Sequence, residues 1–272
     1  MGKAVCEKHR KEQYMKTITV WNRKGGVGKT TLSFNLASCL ATEHQKKVLG
    51  IDLDEQMNFS LMLEKETGRA KVDIAKLADQ GFINMKKAVY KGKNVDYIRG
   101  SHANADVWAI YDLYRGLQAL ETEYDYVIID CPASFSHIVQ SAIYAADFVL
   151  VPIGLDAFSK DNLNLVSTSI ESVRQAKELN EMEETAEDFC VDIPWSIVAN
   201  RVANRKNQKE TFADLVYKHD YPMLDICISE TTAMATANSM KKPVYQHRSH
   251  ATVAQDIRDM VDLIREEVEK DA

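Results

Sequence analysis

No stretch of this chain approaches the roughly 20 uninterrupted apolar residues that a membrane-crossing helix needs, although 45% of its 272 residues are hydrophobic. Cysteine is sparse as well. Cys6, Cys39, Cys131, Cys190 and Cys227 are scattered, odd in number and never in C-x-x-C spacing. That usage argues for reduced thiols in a cytoplasmic setting, and against a disulfide framework or a zinc site. Excess positive charge is missing too. The net charge is −6, so no global field draws the chain to nucleic acid and any such contact needs a local basic patch. Proline- or serine-rich linkers and internal repeats are absent, which leaves one domain over residues 15–272. The charged stretch 1–14 lacks a signal peptide's apolar core and reads as a flexible lead-in.

What is present is alternation. Strand-like apolar runs fall at Thr17–Trp21 (with Met15 leading in), Lys47–Asp52, Val95–Arg99, Tyr126–Asp130, Phe148–Pro152, Trp195–Ala199 and Met223–Ile226. Helical periodicity lies between them, clearest at Thr30–Thr42, Ser136–Ala145 and Asp161–Leu179, and least regular from Glu64 to Asp106. Strands alternating with helices predict an α/β fold with a doubly wound, mostly parallel sheet covered on both faces. At the end of the chain Val253, Ile257, Val261, Ile264 and Val268 recur at helical spacing, opposite an acidic or mixed face. A membrane-surface helix would present lysine, arginine and bulky aromatics there, so this segment reads as a final helix packed on the core.

The most informative run is Val20-Trp-Asn-Arg-Lys-Gly-Gly-Val-Gly-Lys-Thr-Thr31. Strand, glycine-rich turn and helix N-terminus is the arrangement that cradles a nucleotide's phosphates, with backbone N–H groups and the helix dipole converging on the anion. Gly25, Gly26, Val27, Gly28 and Thr31 would line that cradle, Lys29 would reach the β- and γ-phosphates, and the Thr30 hydroxyl would ligate Mg²⁺. Asp52 and Asp54 follow at i and i+2 on one face of a strand end, where a doubly wound sheet sets them beside the phosphate loop. Tyr126–Asp130 is an apolar strand ending in a carboxylate that can hold a magnesium-bound water opposite Thr30.

Lys24-Gly-Gly-Val-Gly-Lys-Thr-Thr31 departs from the ordinary phosphate loop, which has glycine where Arg23 stands. It resembles the "deviant Walker A" of the ParA/MinD/nitrogenase-iron-protein superclass, and most closely a ParA/Soj-type partition ATPase. Asp52-Leu-Asp-Glu-Gln-Met-Asn58 resembles that family's D-x-D-P-Q-x-N, with Glu55 in place of proline. Ile128–Ser134 resembles I-I-D-C-P-P-S, with Ala133 in place of the second proline. Val149–Pro152 and Ala233–Arg248 match further stretches, although Gly154 stands where glutamine is common and Glu230–Thr232 where an arginine is common.

The resemblance implies an Mg²⁺-dependent ATPase that forms a homodimer around ATP, with Lys24 reaching the partner's nucleotide. Asp54 would set the attacking water, and Asp52 and Asp130 would support the magnesium shell. It also implies non-specific binding of double-stranded DNA by the ATP dimer, a ParB-like adaptor that stimulates hydrolysis, and a nucleoid-associated role in plasmid or chromosome partition without a membrane. With about fifteen residues ahead of the first strand, the chain resembles the short class that lacks an N-terminal helix-turn-helix. Arg201, Arg205, Lys206 and Lys209, with Lys241, Lys242 and Arg248, are either the DNA contacts or a solvated surface. Asn200 either presents its amide to the adenine edge or is a turn residue. A MinD-like spatial regulator shares the same ATP chemistry without DNA. A metal-cluster carrier would need a matched cysteine pair, and Cys131 reads as a buried thiol.

Overall fold

The computed structural model describes residues 15–64, 73–78, 85–101, 109–156, 159–185, 191–203, 206–218 and 221–270. The segment 1–14 and Arg205 lie outside them. Seven strands, β1 (Lys16–Val20), β2 (Val48–Asp52), β3 (Asp96–Ile98), β4 (Tyr126–Asp130), β5 (Phe148–Ile153), β6 (Trp195–Val202) and β7 (Met223–Ser229), form one sheet in the order β3-β2-β4-β1-β5-β6-β7. Every pairing between these strands is parallel.

The helices follow from the apolar spacing between the strands. They are α1 (Lys29–Thr42), α2 (Asn58–Leu63), α3 (Ile74–Ala78), α4 (Met85–Ala88), α5 (Asp112–Gln118), α6 (His137–Tyr144), α7 (Ser159–Thr185), α8 (Lys206–Lys218), α9 (Thr232–Ser239), α10 (Val244–His247) and α11 (Thr252–Glu269). The irregular stretch 64–106 thus contributes α3, α4 and the edge strand β3.

Alternation along each strand divides the core in two. On one face Ile18, Val20, Tyr126, Ile128, Phe148 and Leu150 pack with α1 residues such as Leu32 and Leu36 and with α11. On the other, Leu49, Ile51, Val127, Ile129, Val149 and Val151 pack with Leu113, Val139, Leu163 and Val166 of α5, α6 and α7. The α11 stripe, Val253, Ile257, Val261, Ile264 and Val268, is buried in the first of these layers. The final helix therefore packs its apolar face on the core.

Parallel register sets up the site. Val20 pairs with Asp130 and Asp130 with Asp52, so three neighbouring strands end level with one another at their carboxyl ends. Gly50, inside β2, lets α2 lie close: a Cβ there would sit 2.7 Å from Leu63 Cδ1 and 2.9 Å from the Phe59 ring. Gly50→Val should therefore overpack this layer and destabilise the protein by about 1–3 kcal/mol, read as a lower urea midpoint with the slope unchanged.

Candidate functional site

β1 ends at Val20, and the chain turns through Trp21–Gly28 before α1 begins at Lys29. The turn requires glycine at two points, Gly26 (φ 74°) and Gly28 (φ 96°), both in the left-handed region. At Gly28 a side chain would also meet Asn200 Nδ2 at 2.2 Å. Around Gly25 and Gly26, by contrast, a Cβ would find open space, so the loop presents its bare backbone outward. No side chain caps the α1 N-terminus and no acidic residue lies in its first turn, leaving N–H groups and the positive dipole end for an anion.

The loop is tied from three directions. Asn22, fully buried, donates to the Pro152 carbonyl at 2.7 Å. Its Oδ1 accepts from the Lys24 N–H at 2.8 Å and from Asn162 Nδ2 at 2.7 Å. From β6, Asn200 Nδ2 donates to the Val27 carbonyl at 2.8 Å while its Oδ1 accepts the Arg201 N–H at 2.9 Å. Trp21 donates from Nε1 to the Ser134 carbonyl at 3.1 Å and meets the Phe135 ring at a tilt of 37°, and over that ring the Arg23 guanidinium lies at 5.5 Å. The phosphate loop is thus joined to the loop that follows β4.

Lys29, only 8% exposed, curls back so that its Nζ donates to the Lys24 carbonyl at 3.1 Å. Burial lowers its pKa, opposed by the nearby Asp130 charge. Lys24 points elsewhere, its ammonium paired with Asp156 beyond β5. The Thr30 hydroxyl donates to Asp130 Oδ2 at 2.7 Å and Ser33, one turn later, to Oδ1 at 2.8 Å. Asp52 accepts the Ser60 and Asp54 N–H groups at 2.7 and 3.1 Å. Asp54, past the strand end, caps the next turn by accepting the Gln56 N–H at 2.9 Å. It also lines a cavity of about 280 Å³ with Leu53, Glu55, Gln56, Ser101, Pro132, Ser134, Ser136 and Ile138.

The fold therefore gathers Lys24, Gly25, Gly26, Val27, Gly28, Lys29, Thr30, Asp52, Asp54 and Asp130 at one end of the sheet. Thr31 is at the same turn, but its hydroxyl accepts from Asn238 Nδ2 of α9 at 3.0 Å. Arg201, Lys241, Lys242 and Arg248 are exposed, and Lys206 and Lys209 lie on α8. Sequence reasoning missed Ser33, Ser60, Asn22 and Asp156. Only Ser33 carried a signal, its i,i+3 spacing from Thr30, which puts both hydroxyls on one side of α1.

An open backbone cradle, two buried carboxylates and two hydroxyls on one of them form a donor set that fits a triphosphate and a hard divalent cation. Together with the parallel sheet, they define a P-loop nucleotide-hydrolysing protein. A family model described as an AAA domain matches residues 15–183. The chain is 30% identical over 246 residues to the sporulation initiation inhibitor protein Soj of Bacillus subtilis, spanning 86% of this chain and 92% of that protein. It is 28% identical over 248 residues to the septum site-determining protein MinD of the same organism, spanning 87% and 85%. A plasmid partition protein from Borrelia burgdorferi, solved with AMPPNP, has the same fold, with a TM-score of 0.76 and 20% identity over 93% of this chain and 99% of that one. The chain belongs to the ParA/MinD-type family of P-loop ATPases.

Burial holds the Asp52 and Asp130 carboxyls well above the ordinary carboxylate range; the Asp52 and Asp54 charges raise Asp130 further, and the Asp54 charge raises Asp52. A raised folded-state pKa means that the folded form keeps protons which the unfolded chain has released near pH 4. Stability from this pair is then full below that pH and is lost as pH rises through the raised values. Unfolding by urea without Mg²⁺ at about pH 5.5, 7 and 8.5 should show the loss, and Asp130→Asn, with no charge to bury, should show a flatter dependence.

Proposed function

We propose that this chain is an ATP-driven dimerisation switch for partitioning plasmid or chromosomal DNA. The observation that carries the reading is the second lysine. Lys29 already bends over the phosphate loop, so a cradle that needs one lysine has another, Lys24, at its rim. A second copy's nucleotide is the target that uses it.

Phosphoryl transfer to water depends on positioning and charge neutralisation more than on covalent chemistry. The amides from Gly25 to Thr31 and the Lys29 ammonium hold the phosphate oxygens. Thr30 and, through water, Asp52 and Asp130 would hold Mg²⁺, which would supply positive charge to the phosphates. Asp54 accepts a hydrogen bond from the attacking water and sets its line of approach. Lys24 acts across the dimer on charge that develops in the transfer, so hydrolysis requires two copies and loss of the γ-phosphate loosens them. The intrinsic rate is slow, and a ParB-like adaptor raises it.

The exposed cations Arg201, Lys241, Lys242 and Arg248 meet double-stranded DNA without sequence preference, and α8 carries Lys206 and Lys209 in its sequence. With a net charge of −6, one copy offers only a few cations, and pairing two copies doubles the phosphates it can neutralise. The similarity to MinD keeps open a cargo-positioning role without DNA. Against a membrane-bound version stands the burial of the apolar α11 stripe.

Light scattering with and without Mg²⁺-ATP tests the switch. Wild type should double in mass with ATP and stay monomeric with ADP. Lys29→Ala should lose nucleotide binding, Lys24→Ala should bind but neither dimerise nor turn over, and Asp54→Ala should remain an ATP dimer without turnover. A normal hydrolysis rate in Lys24→Ala would sink the reading. In low-salt DNA titrations, Lys241→Glu with Lys242→Glu should weaken the ATP form and lower the slope of log affinity against log salt by about 0.9 for each DNA phosphate no longer neutralised. An ATP-loaded wild type that leaves DNA unbound removes the partition role and favours the MinD-like one.

A further inference from the structure

The ammonium of Lys24 is paired with the carboxylate of Asp156 in the same chain. We propose that Asp156 is a clasp that holds Lys24 in the single copy, and that exchange of this carboxylate for a second copy's phosphate sets the threshold for dimerisation. The proposal rests on the reading that Lys24 acts across the dimer.

The surroundings leave the Lys24 side chain as the part that can move. Its N–H is bound to Asn22 Oδ1 at 2.8 Å and its carbonyl accepts from Lys29 at 3.1 Å. Asn22 is itself fixed to the Pro152 carbonyl and to Asn162. Asp156 follows β5, the strand beside β1, and its N–H donates to the Gly154 carbonyl at 3.1 Å. The carboxylate is therefore mounted on the strand next to the loop that it restrains.

The pair is also weak enough to exchange. The side chains are 35% and 47% exposed, and ion pairs at such sites contribute little and are screened by salt. A triphosphate with several negative charges outcompetes one half-solvated carboxylate, whereas an empty site gives Lys24 nothing better. Asp156 thus acts as a positioning residue through Lys24. It keeps that charge neutralised until a loaded partner arrives.

The test follows dimer mass in the full-length protein against the concentration of a non-hydrolysable ATP analogue with Mg²⁺, at about 0.05 M and about 0.5 M salt. Asp156→Asn should dimerise at an analogue concentration about two- to five-fold below wild type at low salt. The gap should narrow at high salt, and Asp156→Glu, which keeps the charge, should behave like wild type. Lys24→Ala should stay monomeric, and Asp156→Asn added to it should not restore the dimer. An unchanged or raised requirement in Asp156→Asn overturns the clasp, as does a dimer regained by Asp156→Asn in the absence of Lys24. A wild type that dimerises normally beside an indifferent Asp156→Asn sinks the clasp alone. A wild type that stays monomeric sinks the dimer reading and the clasp together.

Discussion

Two carboxylates lie side by side at the centre of this molecule, and most of the surrounding architecture bears on that placement. Asp52 and Asp130 end adjacent parallel strands in direct register and are 1% and 0% exposed. Moving such charges out of water is costly unless hydrogen bonds and opposite charge compensate. Compensation comes from α1 through Thr30 and Ser33, from the Ser60 and Asp54 amides, and from Lys29 nearby. Even so, burial keeps both carboxyls above the ordinary carboxylate range. Perturbed carboxylates gathered in this way cluster at functional sites, and a divalent cation placed between them would offset the charge that burial penalises.

A rigid setting for the phosphate loop follows from the same end of the sheet. Asn22 joins the loop to β5 and α7, Asn200 joins it to β6, and Trp21 joins it to the segment after β4. A cradle of bare amides is useful only if those amides are already aimed before the anion arrives, because alignment then costs nothing at the moment of reaction. Gly28 illustrates how closely the pieces approach: the space its missing side chain would occupy belongs to Asn200. The Asn200 amide is committed on both sides, to Val27 and to Arg201, so its first task in this chain is to brace the loop.

All seven strands were legible because each is an apolar run bounded by polar turns, the pattern of a doubly covered parallel sheet. Differences gather at the ends. β1 starts and stops one residue earlier than the apolar pattern predicts, and β6 runs on to Val202 instead of Ala199. Asn200-Arg201 looks like a turn locally, yet a bulge against β7 keeps the pairing going. The phosphate loop, the Asp52–Asp54 pair and Asp130 were readable because their spacing along the chain carries the chemistry. Asn22 and Asp156 were not, since their partners lie 130 or more residues away along the chain. Only the β1–β5 pairing brings them together.

The C-terminal region shows how surface charge is held in place. With the α11 stripe buried, what this region offers to solvent is largely polar, and Lys241, Lys242 and Arg248 sit between its helices. Lys241 has φ 51° at the point where α9 ends, a position that glycine usually takes because it alone avoids the Cβ penalty. The turn is nevertheless closed, with the Lys241 N–H on the Asn238 carbonyl and the Lys242 N–H on the Ala237 carbonyl, both at 3.0 Å. Arg201 has φ 56°, fixed by Asn200 Oδ1. Each left-handed residue costs about 1–2 kcal/mol relative to ordinary backbone, and glycine would relieve the strain at both sites. Glycine would also remove the charge. Such backbone is not confined to the basic residues, since Gln45 and Met57 also have positive φ, and at Arg201 and Lys241 it is the local hydrogen bonds of the turn that hold it in place.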